Sequence, residues 1–198
     1  KIIACSEEMK LRIQKISDVA LKKPVCLYNP YDVDKIKKMG EEKVQDVDFT
    51  LPTIISHGRL EQVKNYIKLI RAFAIAKKEI ADLQLIIVGE GVERENLERE
   101  VQLLGLGNSI KLIGFRENPF KYLAKSKIFV LTSNSEGFPN ALVEGMVFVP
   151  AISVDCKTGP KEILGADSSY GILIKDKDNT SIAKAMVGLI KNNEKYNK

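Results

Sequence analysis

TIISHGRLEQVKNYIKLIRAFAIAKKEIADLQLIIVGEG, residues 53–91, is the stretch on which the fold turns. Thr53–His57 and Leu83–Val88 are short aliphatic and β-branched runs, the composition of strands buried on both faces. Between them Lys64–Lys78 reads as an amphipathic helix. A strand, a helix and a second strand in succession make the crossover unit of a parallel sheet, because parallel strands need a long connection.

The same alternation continues outward. Ile110–Ile113, Ile128–Thr132, Ala151–Val154 and Gly171–Ile174 read as further strands, and Arg94–Leu104, Pro119–Lys125, Asn140–Val147 and Thr180–Asn192 as helices. The expected fold class is α/β, a Rossmann-like, doubly wound parallel sheet flanked by helices. Toward the N-terminus the character changes. KIIACS reads as a strand, Glu7–Lys22 as a helix and VCLYNP as a strand, while the charged Asp34–Asp48 reads as a linker or surface excursion. The chain is therefore divided near residue 31, with 1–31 the tail of a preceding domain and its crossover, and 32–198 one domain truncated at its C-terminus.

Composition narrows the function classes. With 44% hydrophobic and 29% charged residues the chain reads as globular rather than disordered. Lys and Arg number 31 against 26 Asp and Glu, a net charge of +5, but the two signs are interspersed, so a nucleic-acid partner is not expected. Three cysteines without C-x-x-C spacing and a single histidine speak against a disulfide framework or a zinc site. No apolar run approaches a membrane span, so a cytoplasmic protein is expected, with peripheral contact at the inner face of the membrane as the remaining membrane role.

In open α/β sheets ligands bind beyond the carboxyl ends of the strands. Three loops there carry polar groups. In the first, Gly58 permits a tight turn and Arg59 and Lys64 offer two cations to a diphosphate, although both also suit a solvated surface, and His57 suits a strand-end packing or hydrogen-bonding role rather than a catalytic one. In the second, Gly89-Glu90-Gly91 begins a G-x-G-x-x-G pattern that fails at Arg94, which disfavours a dinucleotide-binding dehydrogenase. The third, Ser133–Glu144, runs from a strand into a helix whose free N–H groups favour an anion. Gly137 there admits close backbone approach. Glu144 shares a helix face with Asn140 and tilts toward the helix start, so it faces the ligand; a carboxylate repels phosphate but accepts hydrogen bonds from a diol such as ribose. Glu136 can accept from sugar hydroxyls in the same way.

The spacing Glu136…Glu144 within SEGFPNALVEGM resembles the E-x7-E signature of family 4 glycosyltransferases. HGRL…KN at 57–65, LIIVGEG at 85–91, IKLIGF at 110–115 and DCKTGPKEIL at 155–164 resemble that family in the same order, as do IIACSEEMK and YNPYDVD. The resemblance implies the C-terminal, nucleotide-sugar-binding half of a GT-B fold, in which two Rossmann-like domains face each other across a cleft and transfer retains anomeric configuration. It implies that Arg59 and Lys64 contact the donor diphosphate and Glu144 the ribose. Glu136 with the backbone of Gly137, Phe138, Pro139 and Asn140 would hold the sugar and distal phosphate, and Phe115 and Arg116 would lie beside the nucleobase.

It further implies a nucleoside diphosphate sugar as donor substrate, UDP being the first expectation, and a saccharide or lipid-linked acceptor held by the other domain. No separate cofactor and no metal are expected; the D-x-D triplets Asp32–Asp34 and Asp46–Asp48 are weak metal signals. A binding module without catalysis is the alternative. One departure from the family pattern is GMVFVP at 145–150, where bulky Val147, Phe148 and Val149 replace small residues.

Overall fold

A computed structural model describes residues 2–16, 23–156 and 158–192. Its centre is a six-stranded, wholly parallel sheet in the order β5-β4-β3-β6-β7-β8, formed by Thr53–His57 (β3), Gln84–Val88 (β4), Ile110–Gly114 (β5), Ile128–Leu131 (β6), Ala151–Val154 (β7) and Ile172–Ile174 (β8). Every residue of β3, β4, β6 and β7 is buried, which is why these segments are mostly apolar rather than alternating, with Thr53, Ser56, His57, Gln84 and Ser153 as buried polar exceptions. Strand order reverses between β3 and β6, so the loops leaving those two strands run to helices on opposite faces of the sheet and border a crevice at the carboxyl edge.

Two cores cover the sheet. On one face lie Tyr66–Glu79 (α3), Arg94–Leu103 (α4) and Asn179–Lys191 (α8), with Leu69, Ile70 and Phe73 of α3 fully buried. Burying each such side chain contributes about 1.5–3 kcal/mol. On the other face lie Phe120–Leu123 (α5), Asn140–Met146 (α6) and Pro160–Leu164 (α7). Phe148 packs on this second core: a Cβ added at Gly40 would lie 2.4 Å from its ring, and Phe120 is 6.4 Å away between centroids. The bulky 147–149 segment thus packs against its neighbours after α6 has ended.

The N-terminal segment is a separate two-stranded parallel sheet, Ile3–Ala4 (β1) with Val25–Cys26 (β2), and the helix Glu7–Ile16 (α1). The expected helix Glu7–Lys22 is described to Ile16; residues 17–22 lie outside the described residues. The 34–48 stretch is not simply a linker. Val33–Gly40 forms a helix (α2) because Asp32 caps it, accepting from the Lys35 N–H at 3.0 Å, and because Ile36 and Gly40, one turn apart, are buried against α5. The helix α7 also goes beyond the sequence expectation, although Pro160 at its first turn and Gly165 just after it are ordinary start and stop signals. The helix expected from Lys64 begins at Tyr66: Gln62–Lys64 is a 3₁₀ turn, and Asn65 takes the left-handed conformation (φ 49°, ψ 49°) while its side chain caps Lys68.

Candidate functional site

The crevice is built from backbone first. Gly58 donates to Val88 O at 3.0 Å, and a Cβ added at Gly89 would fall 1.9 Å from Gly58 O. Gly89 therefore packs one strand end against another, and the G-x-G run serves close packing and a turn. The loop after β6 is tied to the loop after β3 by Asn134 N–H to Val63 O (2.8 Å), by Thr132 Oγ1 to Lys64 O and Asn65 O (3.2 and 3.1 Å), and by Asn65 Nδ2 to Asn134 Oδ1 (3.0 Å).

On this frame Lys64 Nζ meets Glu136 Oε1 at 2.7 Å, and Ser133 Oγ donates to the same oxygen at 2.6 Å. Both charged side chains are mostly buried, 18% and 10% exposed. Gly58 is held at φ 142°, a backbone conformation that suits glycine, and a Cβ there would lie 3.3 Å from Tyr66 Oη and in contact with the Lys64 stem. Arg59 behaves differently. Its side chain is 79% exposed and pairs with Glu61 at 2.8 Å, a solvent-screened contact that is readily exchanged for another anion.

Beside this polar group a cavity of about 300 Å³ is walled by His57, Gly58, Val88, Phe115, Arg116 and Pro119, among others. Phe115 is exposed, and Arg116 is fixed: its Nη2 pairs with Asp46 Oδ2 at 2.9 Å, its Nη1 donates to Phe115 O at 3.1 Å, and Tyr122 Oη donates to the same carboxylate at 3.0 Å. Burial works against the Asp46 carboxylate, but hydrogen bonds from Arg116 and Tyr122 outweigh it and hold its pKa below the ordinary value. Asp48 accepts from the Thr50 N–H and hydroxyl, and Asp32 caps α2, so three of the four D-x-D carboxylates have structural partners. Among the described residues no group of three or more His, Cys, Asp or Glu is gathered to hold a metal ion.

At the start of α6, Asn140 Oδ1 accepts from Asn29 Nδ2 and Tyr31 Oη, both at 2.7 Å, which ties the crossover to the third loop. Tyr28 stacks at a tilt on Phe138, 5.5 Å between centroids, and Met9 lies against Gly137. Pro139 is held from the other side, where a Cβ added at Gly159 would reach it at 2.4 Å. One turn along α6, Glu144 Oε2 lies 3.2 Å from His57 Nε2. Burial raises the Glu144 pKa, whereas burial and the Lys64 charge lower that of His57 to about 4.

The structure thus gathers Gly58, Arg59, Lys64, Phe115, Arg116, Glu136, Gly137, Phe138, Pro139, Asn140 and Glu144 along one edge of the sheet. Sequence reasoning did not find Asn29, Tyr31 or Asp46 as partners of these residues, and it placed His57 as a strand-end packing or hydrogen-bonding residue without naming Glu144 as its neighbour. No local pattern marks such contacts, whose partners lie 70 or more positions away along the chain.

Residues 40–198 match the family described as Glycosyl transferases group 1. The chain is 34% identical over 177 residues to an N-acetylgalactosamine-N,N'-diacetylbacillosaminyl-diphospho-undecaprenol 4-alpha-N-acetylgalactosaminyltransferase of Campylobacter jejuni, covering 89% of this chain and 47% of that protein. It spans about half the length of curated relatives that it matches. Among solved structures, TarM of S. aureus in complex with Fondaparinux, alpha-GlcNAc-glycerol and UDP superposes with a TM-score of 0.84 at 22% identity, over 98% of this chain and 37% of that one. HepE of Anabaena in complex with UDP and glucose gives 0.81 at 22% identity, over 98% and 54%. Among the described residues no helix is long and apolar enough to cross a membrane. The chain belongs to the group 1 glycosyltransferases, and its six-stranded sheet is a Rossmann-like domain of their GT-B architecture.

Proposed function

We propose that residues 32–198 form the donor-binding domain of a retaining, family 4 hexosyltransferase that takes a nucleoside diphosphate sugar, and that residues 1–31 are the tail of a preceding, acceptor-binding domain. The observation that carries this is a mostly apolar cavity lined by His57 and Gly58, with Glu144 in contact with His57 and the Lys64–Glu136 pair reached through Gly58. Those neighbours suit a base in the cavity, with a ribose and a diphosphate-linked sugar beside it. The base lies between Phe115 and the Gly58–Val88 backbone, and the ribose diol donates to Glu144. Arg59 exchanges Glu61 for phosphate, while Lys64 shares its charge between phosphate and Glu136. Glu136 and the backbone of 137–140 orient the sugar. As the glycosidic bond breaks, negative charge grows on the departing diphosphate, and these preorganised cations and amides stabilise it. No cofactor or metal enters this proposal.

UDP is the first candidate nucleotide, because solved neighbours were captured with it. A lipid-linked or saccharide acceptor at the inner membrane face is in keeping with the diphospho-undecaprenol in the Campylobacter relative's name. The test is calorimetric titration with UDP, GDP, ADP and their sugar conjugates against the chain and an Arg59→Ala/Lys64→Ala double variant. Affinity for one nucleoside diphosphate, lost in the variant, is the expected result; undiminished binding in the variant would remove the proposed diphosphate site.

A further inference from the structure

We infer that His57 is a positioning residue for Glu144: it presents Nε2–H to one carboxylate oxygen, so that the other oxygen meets the ribose diol of a bound nucleotide. The inference rests on Glu144 being the ribose partner, as proposed above.

His57 stands at the last position of β3 and is only 9% exposed. Its Nε2 is buried and forms no hydrogen bond, although Glu144 Oε2 lies 3.2 Å away. A buried polar atom within reach of a partner but out of line with it is a contact waiting to be completed, since hydrogen bonds in empty sites often tighten only when ligand arrives. The Phe129 ring, edge-on at 5.7 Å, leaves the imidazole little freedom to turn elsewhere.

The surrounding charges decide the proton. Burial, helped by the charge of Lys64 that faces His57 from the neighbouring loop and is shared with Glu136, outweighs the opposing pull of the Ala141 backbone and keeps the imidazole neutral. A neutral imidazole carries one N–H, and a carboxylate facing Nε2 selects the tautomer with the hydrogen there. Tyr31 is the other titratable group beside Glu144; burial and then the Glu144 charge raise its pKa, and its hydroxyl is committed to Asn140. Among the described residues His57 is the basic side chain within ion-pair distance of Glu144. Glu144 thus has one anchor, and fixing one oxygen removes the rotational freedom that the ribose would otherwise have to quench.

The experiment compares calorimetric affinities for UDP, 2′,3′-dideoxy-UDP and inorganic pyrophosphate. The chain should prefer UDP over the dideoxy compound by roughly 10–100-fold, the range for hydrogen bonds to a charged group. His57→Gln, whose amide reaches the Nε2 position, should keep most of that preference. His57→Asn, whose amide stops at the Nδ1 position, should bring it close to one while pyrophosphate affinity stays unchanged. On a Glu144→Gln background neither substitution should alter the preference further. If an amide variant fails to fold, as judged by circular dichroism, His57→Leu takes the place of Asn and should lose the preference likewise. A His57→Asn or His57→Leu variant that weakens all three ligands equally, or that leaves the UDP preference intact, would overturn the inference. Failure of the donor-site proposal looks different, because the unaltered chain would then bind none of the three ligands, and both proposals would fall.

Discussion

Lys64 and Glu136 form an ion pair, 2.7 Å from Nζ to Oε1, between the loop that leaves β3 and the loop that leaves β6. It spans the point where strand order reverses, and it places one cation and one hydroxyl acceptor at the same spot. Neither residue is free for a separate role, so each substitution acts on both partners.

Glu136→Gln removes one charge and leaves Lys64 unpaired in a mostly buried setting, so the fold should lose about 1–3 kcal/mol, short of the cost of breaking a fully buried pair. Nucleoside diphosphate affinity should hold or rise, because Lys64 is released to the phosphates, while any added affinity for the sugar conjugate should vanish. Thermal melts and paired titrations of UDP and a UDP-sugar check both parts; a variant that still favours the conjugate would show that Glu136 does not meet the sugar.

Arg59→Ala provides the contrast. Its side chain is largely exposed and, among the described residues, pairs with Glu61 alone, so stability should change by less than about 0.5 kcal/mol. Nucleotide affinity should nevertheless fall about 5–10-fold, and the loss should shrink as salt is raised, because exposed charges are screened. A drop in melting temperature without weaker binding would assign Arg59 to the fold instead.

Gly89→Ala tests the crevice frame. The new methyl would lie 1.9 Å from Gly58 O on a backbone held at φ 145°, so the cost should be about 2–4 kcal/mol. In a chain of this size that lowers the melting temperature by roughly 4–16 °C. An unchanged melt would mean that the strand ends are farther apart than described.

The sheet was legible because β3, β4, β6 and β7 are buried on both faces and most of their positions are apolar. Local rules were less reliable where tertiary contacts decided the outcome. Val33–Gly40 carries too many charges to read as a core helix, yet two buried positions, Ile36 and Gly40, suffice to dock it on α5. The site loops were legible from glycines, cations and the Glu136…Glu144 spacing. Their pairing was not, because the Lys64–Glu136 contact joins residues 72 positions apart and the Asp46–Arg116 contact joins residues 70 apart.

The acid response of the fold should report His57. Its pKa is about 4 in the folded protein against an ordinary value of 6.5. Between those values the unfolded chain binds a proton that the folded chain refuses. The contribution is therefore fully present above pH 6.5 and is lost as pH falls toward 4, and the difference corresponds to about 3 kcal/mol. Glu144 acts in the opposite sense. Burial raises its pKa, so its charged form costs stability at neutral pH, and that cost is relieved as pH falls through the raised value toward 4.5. The two trends oppose each other in the acid range, and the larger His57 shift should prevail. Melting curves of the chain and of His57→Gln, taken from pH 7.5 to 4, separate them, since glutamine removes the first trend and keeps the second. The unaltered chain should lose roughly 6–12 °C more than the variant across that range. Parallel curves would show that His57 is protonated in the folded protein well above pH 4, and the neutral Nε2–H donor assigned to it would be wrong.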